Sequence, residues 1–179
     1  KFYDIDSMTI KYRLDTLFGV VNKNPEMSGM IRSRMIRSGD SLAASLTPTG
    51  FIAPMLLDGP MDGEVFRTWC EQMLAPALRP GDIVIMDNLA AHKVAGVSQA
   101  IEACGARLLY LPPYSPDLNP IENAFVKPAL SEAEGLKAHV RKAAPRTIDA
   151  LETAAADALL TFKPIECENF FTHAGYGFD

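Results

Sequence analysis

Residues 82 to 122 read DIVIMDNLAAHKVAGVSQAIEACGARLLYLPPYSPDLNPIE, and this stretch limits the fold more than any other. It opens on Ile83-Val84-Ile85-Met86, an unbroken apolar run that ends at Asp87-Asn88. A run without polar alternation suits a strand buried on both faces, the interior strand of a sheet covered by helices. Residues 93 to 104 have helical spacing, with Val94, Val97, Ala100 and Ile101 inward and Gly105 as the stop. Ala106 to Leu111 reads as the next strand. Asp87 then falls at the carboxyl edge of its strand, where open α/β sheets place their ligands. The loop that follows is stiff, because Pro112, Pro113, Pro116 and Pro120 fix their own φ and restrict the residues before them. Asn119 is a good helix cap and Pro120 a good first helical residue. Glu122 is therefore in a first helical turn, where the helix dipole favours a carboxylate. Between Asp87 and Glu122 lie 34 residues, room for one strand-helix-strand unit and a rigid turn.

The remainder of the chain supports that unit. Phe2 to Ile10 leans toward a strand, with Asp4 and Asp6 on one face. Residues 22 to 40 show little period and read as a loop made basic by Arg32, Arg34 and Arg37. Ser41 to Leu46 and Phe51 to Leu57 flank Thr47-Pro48-Thr49-Gly50, the pattern of a hairpin. Asp62 caps a helix expected through about Leu78, with Val65, Phe66, Trp69, Cys70, Met73 and Leu74 as its core stripe. After Lys127, Pro128 and Gly135 bracket a segment that interrupts one amphipathic helix and shortens the piece carrying Glu122. Leu136 to Ala144 resumes helical spacing, with Lys137, Arg141, Lys142 and Arg146 as a basic face. Thr147 caps a further helix through about Phe162, and Pro164 starts a last one ending near Gly175.

Composition narrows the function. A chain of 179 residues is one domain by length, with 48% hydrophobic and 22% charged residues, ordinary for a folded domain. No apolar run approaches the ~18 residues that cross a bilayer. Net charge is -5, which disfavours a module that coats DNA but allows one that meets it through a local patch. Cys70, Cys104 and Cys167 lack zinc-like spacing and, being odd in number, give no disulfide framework. Two or three carboxylates at strand ends and a helix start suit magnesium, which takes oxygen ligands and keeps waters and substrate phosphates. Each acid alone has a plain reading as a turn or cap residue.

Met86-Asp87-Asn88-Leu89-Ala90-Ala91-His92-Lys93 followed by Leu109-Tyr110-Leu111-Pro112-Pro113-Tyr114-Ser115-Pro116-Asp117-Leu118-Asn119-Pro120-Ile121-Glu122 resembles the DDE transposases of bacterial insertion sequences in the mariner-like superfamily. The resemblance runs from about Ser41 to the C-terminus and includes Ile52-Ala53-Pro54, Leu57-Asp58-Gly59-Pro60 and Gly63-Glu64. It implies an α/β fold of the ribonuclease H-like kind, a mixed β-sheet flanked by helices, for residues 1 to 179 as one catalytic domain. It implies Mg2+-dependent cutting of transposon ends and joining to target DNA, with two ions and Mn2+ as a substitute. Asp87 matches the second acid and Glu122 the third. Asn88 and His92 match positions beside the site, where they order it or touch DNA. Tyr114 and Asn119 match positions that hold the loop. The first acid departs from the family pattern of aspartate followed by glutamate: Asp6 fits best, Asp4 next, and the remaining option is that no first acid is intact. Arg32, Arg34, Arg37, Lys137, Arg141 and Lys142 are candidates for phosphate contacts. The expected partners are double-stranded DNA and a second copy of the chain, with no membrane, in the bacterial cytoplasm at the nucleoid. The family's N-terminal helix-turn-helix module is not in this sequence. Two competing readings are a degenerate, inactive copy with weak DNA binding and a nuclease of the same fold with another substrate.

Overall fold

The computed structural model describes residues 2–4, 9–11, 28–30, 40–126, 136–143 and 145–177. Its centre is a five-stranded mixed sheet. The strands are β3 (Ser28–Met30), β4 (Asp40–Thr47), β5 (Gly50–Asp58), β6 (Ile83–Met86) and β7 (Arg107–Tyr110), in the order β5-β4-β3-β6-β7. β4 is antiparallel to β5 and to β3, whereas β6 runs parallel to β3 and β7. The predicted hairpin is β4 and β5, turning at Pro48-Thr49. The apolar run at 83–86 is interior, as its composition predicts, with Val84, Ile85 and Met86 all buried.

Alternation along β4 divides two cores. Leu42, Ala44 and Leu46 face α3 (Pro120–Val126), α4 (Leu136–Ala143), α5 (Ile148–Leu160) and α6 (Pro164–His173), where Ile121, Phe125, Val140, Leu151, Phe170 and Phe171 pack. On the opposite face Ala43, Met55, Leu57, Val84 and Met86 meet α1 (Gly63–Trp69) and α2 (Val97–Ala103), which contribute Val65, Phe66, Trp69, Val97 and Ile101. The sheet is thus covered on both sides, and its carboxyl edge at β6 and β7 is left to carry chemistry. Cys70 and Cys167 are buried free thiols and Cys104 is half-buried.

A bulge sets the cover over the second core. Ser45 pairs with Ile52 and Ala43 with Met55, so Ala53 and Pro54 together oppose Ala44. Ala53 has φ +50, and its carbonyl accepts the Trp69 indole N–H at 2.8 Å. Pro54, with no N–H to give a ladder, suits a bulge.

Several local expectations need correction. Phe2 to Ile10 is not one strand: β1 (Phe2–Asp4) and β2 (Thr9–Lys11) pair antiparallel in a separate two-stranded sheet. The strand lying between β4 and β6 comes from the segment read as a loop, and its residues are Ser28, Gly29 and Met30. Three residues with a central glycine carry no strand signal of their own; pairing on both sides makes this one. The helix expected from Asp62 to Leu78 is three segments: α1, a wider π turn at Cys70–Leu74 and a 3-10 turn at Ala75–Ala77. Pro76 lacks the N–H that an α-helix would bond to Gln72, and its ring crowds that carbonyl, so the winding changes before it. Asp62 caps α1 as expected, accepting from Val65 N at 2.9 Å. The helix placed at 93–104 begins instead as a 3-10 turn, Ala90–Lys93, with α2 starting at Val97 after Gly96 at φ +104. Its stop is Gly105, at φ +77, where an added Cβ would lie 3.2 Å from Pro80 Cα. Gly105→Ala is expected to destabilise the fold by about 1–2 kcal/mol, the cost of a left-handed non-glycine residue, as read from urea unfolding.

Thr147 caps α5 through a bond from Ala150 N at 3.2 Å, and Pro164 opens α6, both as predicted. α3 ends at Val126 and α4 begins at Leu136; the segment bracketed by Pro128 and Gly135 lies outside the described residues.

Candidate active site

Asp87 follows directly on β6, whose three buried apolar residues fix where the chain emerges. Its carboxylate is 23% exposed and pairs with Nδ1 of His92, which also lies 3.4 Å from the Asp87 carbonyl. Imidazole apart, Oδ1 of Asp87 is buried with no hydrogen-bond partner among the described residues. Such an oxygen takes a charged or polar partner at low cost, because it has already been removed from water.

His92 is held from three sides. Its ring stacks on Phe66 of α1 at 4.2 Å between centroids and 27° between planes. Its carbonyl accepts the Tyr110 hydroxyl at 2.9 Å, and its N–H bonds back to Leu89 at 3.1 Å. Burial, with smaller contributions from Cys70 and Glu102, pushes the Tyr110 phenol above its usual range, so it stays a donor. The Lys93 ammonium sits 5.4 Å over the Tyr110 ring. At 3% exposure His92 is walled off from solvent. Asn88, the residue after Asp87, is half-buried.

β7 ends level with β6, Tyr110 opposite Met86, and Leu111 N bonds to Met86 O at 2.7 Å. The proline loop therefore departs from the sheet edge that carries Asp87. It contains a 3-10 turn at Pro116–Leu118, and Leu118 O accepts the Tyr176 hydroxyl at 2.8 Å, which bolts the loop to the chain beyond α6. Asn119 is 1% exposed, and its Oδ1 lies 3.4 Å from Ile121 N, the capping role expected of it. Glu122 sits half-buried in the first turn of α3, with its N–H bonded to Asn119 O at 3.1 Å.

Tyr114 departs from expectation. It does not hold the turn through its side chain, which is 102% exposed, and its backbone has φ +60. A non-glycine residue in the left-handed region costs about 1–2 kcal/mol. The sequence places Phe66 in a core stripe and Tyr110 in a motif, without the support that the two give His92. Tyr110 could have been noticed as the last residue of a strand otherwise made of arginine and leucine.

The other predicted residues divide by position. Asp6, Arg32, Arg34 and Arg37 lie outside the described residues. Lys137 and Arg141 belong to α4, and Lys142, near its end, is exposed. Among the described residues no three His, Cys, Asp or Glu side chains come together to hold a metal. The Asp87 carboxylate at the end of β6 is an oxygen donor of the kind that suits a hard divalent cation.

A mixed sheet in this strand order with helices on both faces defines the ribonuclease H-like class of α/β proteins. Residues 29–151 match the DDE superfamily endonucleases, and the chain belongs to that family. Asp87 and Glu122 fall inside the matched residues and Asp6 outside them. The Mos1 transposase paired-end complex with left transposon end shares the fold with a TM-score of 0.59 at 16% identity, over 91% of this chain and 46% of that one. The Mos1 mariner paired end complex with Mn gives 0.56 at 17%, over 91% and 46%. The simian T-cell lymphotropic virus intasome in complex with PP2A regulatory subunit B56 gamma gives 0.51 at 12%, over 76% and 50%. The chain thus spans about half the length of these three. No curated protein matches it. Among the described residues no helix is long and apolar enough to cross a membrane.

Proposed function

We propose that this chain is the catalytic domain of an insertion-sequence transposase that cuts DNA at transposon ends and joins them to target DNA. The observation that carries the reading is the Asp87 carboxylate, set at the end of β6 and propped by a buried histidine, with a stiff loop returning Glu122 from the neighbouring strand. Asp87 and Glu122 are the second and third acids, and Asp6 is the first. Together they would hold Mg2+, or Mn2+ in its place, two ions in all. Held there, such ions would supply Lewis-acid activation of an attacking oxygen and offset charge at the phosphate.

The protein's own groups do the rest. His92 fixes the rotamer of Asp87, and Phe66 keeps water off the far side of that imidazole. Asn88 orders the strand end or meets the DNA backbone. Arg32, Arg34, Arg37, Lys137, Arg141 and Lys142 supply phosphate contacts, which position DNA without reading its sequence. The active assembly is a homodimer on two transposon ends, in the bacterial cytoplasm at the nucleoid. End recognition belongs to a helix-turn-helix module outside this sequence.

One observation favours a second reading, an inactive copy. β3, the strand between β4 and β6, is Ser28-Gly29-Met30, which has no carboxylate. Mn2+ calorimetry and nicking of supercoiled plasmid separate the two. The active domain shows saturable Mn2+ binding and metal-dependent nicking, both lost in Asp6→Asn. Mn2+ binding unaffected by Asp6→Asn, with no nicking, establishes the inactive copy. A nuclease of other purpose nicks but never joins a 3′ end to a second DNA.

A further inference from the structure

We infer that Tyr114 is a stacking platform for an unpaired base of the DNA strand whose phosphate lies at Asp87 and Glu122. The inference rests on the reading above and adds to it a substrate-contacting residue. The ring has no work inside the protein: it is 102% exposed on a backbone at φ +60. Strained conformations persist where the surroundings over-determine them, and they cluster at ligand sites. Here the loop is tied at both ends, by Leu111 N on Met86 O and by Tyr176 Oη on Leu118 O. Prolines at 112, 113 and 116 stiffen the span between. The ring is thus held out on a rigid mount that leaves from the sheet edge carrying Asp87 and ends at the helix carrying Glu122.

The chemistry of the loop's outer side selects the partner. Pro112, Pro113, Tyr114, Pro116 and Asp117 are exposed, and no lysine or arginine lies between Leu111 and Glu122. Such a surface does not suit phosphates, which seek cations. It does suit the face of a base, because every base has a π face and aromatic side chains bind single strands without regard to sequence. A single ring on a narrow stiff loop also reaches a frayed end more readily than it builds a flat protein interface.

The test uses two short duplexes, one blunt and one with an unpaired 3′ overhang carrying 2-aminopurine, bound without divalent metal at low salt. The whole chain is expected to prefer the overhang and to quench its fluorescence. Tyr114→Ala is expected to lose the quenching and about tenfold in overhang affinity, the scale of one stacked base, with blunt-duplex affinity and Mn2+ binding unchanged. Tyr114→Phe is expected to behave as the unaltered chain. The inference is overturned if Tyr114→Ala quenches and binds as before, or if Tyr114→Phe fails as the alanine variant does. It is also overturned if Tyr114→Ala changes only self-association in sedimentation, which makes the ring a protein contact. An unaltered chain that binds neither duplex nor Mn2+ removes the proposed function itself and this inference with it. Nicking that is retained with an indifferent Tyr114 removes only the inference.

Discussion

Asp87→Asn is expected to weaken Mn2+ binding by more than about 100-fold and to abolish plasmid nicking. The size follows from comparison with its neighbour. Partners that only orient a metal ligand typically contribute about 10–100-fold to affinity, and on the proposed reading His92, paired with Asp87, is such a partner. Losing the carboxylate charge itself must exceed that range. Asparagine keeps the shape and one oxygen, so the fold is undisturbed and the loss reports on charge. His92→Asn is expected between the two, weaker in Mn2+ binding yet still able to nick at raised metal concentration. Calorimetry and nicking over a metal titration measure both. Equal Mn2+ affinity in Asp87→Asn and the unaltered chain would end the metal-site reading.

Trp69→Ala is the largest expected stability change, about 3–5 kcal/mol, the usual cost of emptying a buried tryptophan site. The side chain is 1% exposed, packs 5.6 Å from the Phe66 ring and donates to Ala53 O. For a domain of this size each 1 kcal/mol moves the melting temperature by about 2–4 °C, so a fall of roughly 6–20 °C is expected. Trp69→Phe retains most of the volume but orphans the Ala53 carbonyl, at a cost of about 1–3 kcal/mol. Thermal and urea unfolding by circular dichroism read both. The change also bears on the site: Phe66 touches Trp69 on one side and His92 on the other, so a loosened Phe66 should weaken Mn2+ binding in the folded Trp69→Ala protein too.

What was legible in the sequence was local. The interior run at 83–86, the hairpin at 40–58, the caps at Asp62, Asn119 and Thr147, and the start of α6 each rest on a few neighbouring residues. The fold class followed from them and from the resemblance carried by the Asp87 and proline-loop motifs. What was not legible depended on distant partners. β3 is a strand because β4 and β6 flank it, and nothing in Ser28-Gly29-Met30 announces that. Apolar spacing from Asp62 to Leu78 favours one continuous helix, and the single proline at 76 breaks it into three segments. The motif places His92 beside the site, but its seat on Phe66 joins residues 26 apart in sequence. The resemblance gives Tyr114 a part in holding the loop, whereas its ring is fully exposed on a backbone at φ +60, which no local sequence signal announces.

The bulge at Ala53-Pro54 has a consequence for how this sheet meets other molecules. β5 is the outermost strand on its side among the described residues, and an outer strand is a template on which a stranger's backbone can zip. Pro54 withholds a donor from any such visitor, and the extra residue throws the rim out of register midway along its length. The same kink that turns a carbonyl inward to seat Trp69 therefore also guards the chain against unwanted strand-by-strand growth, so one local irregularity serves both the inside and the outside of the molecule.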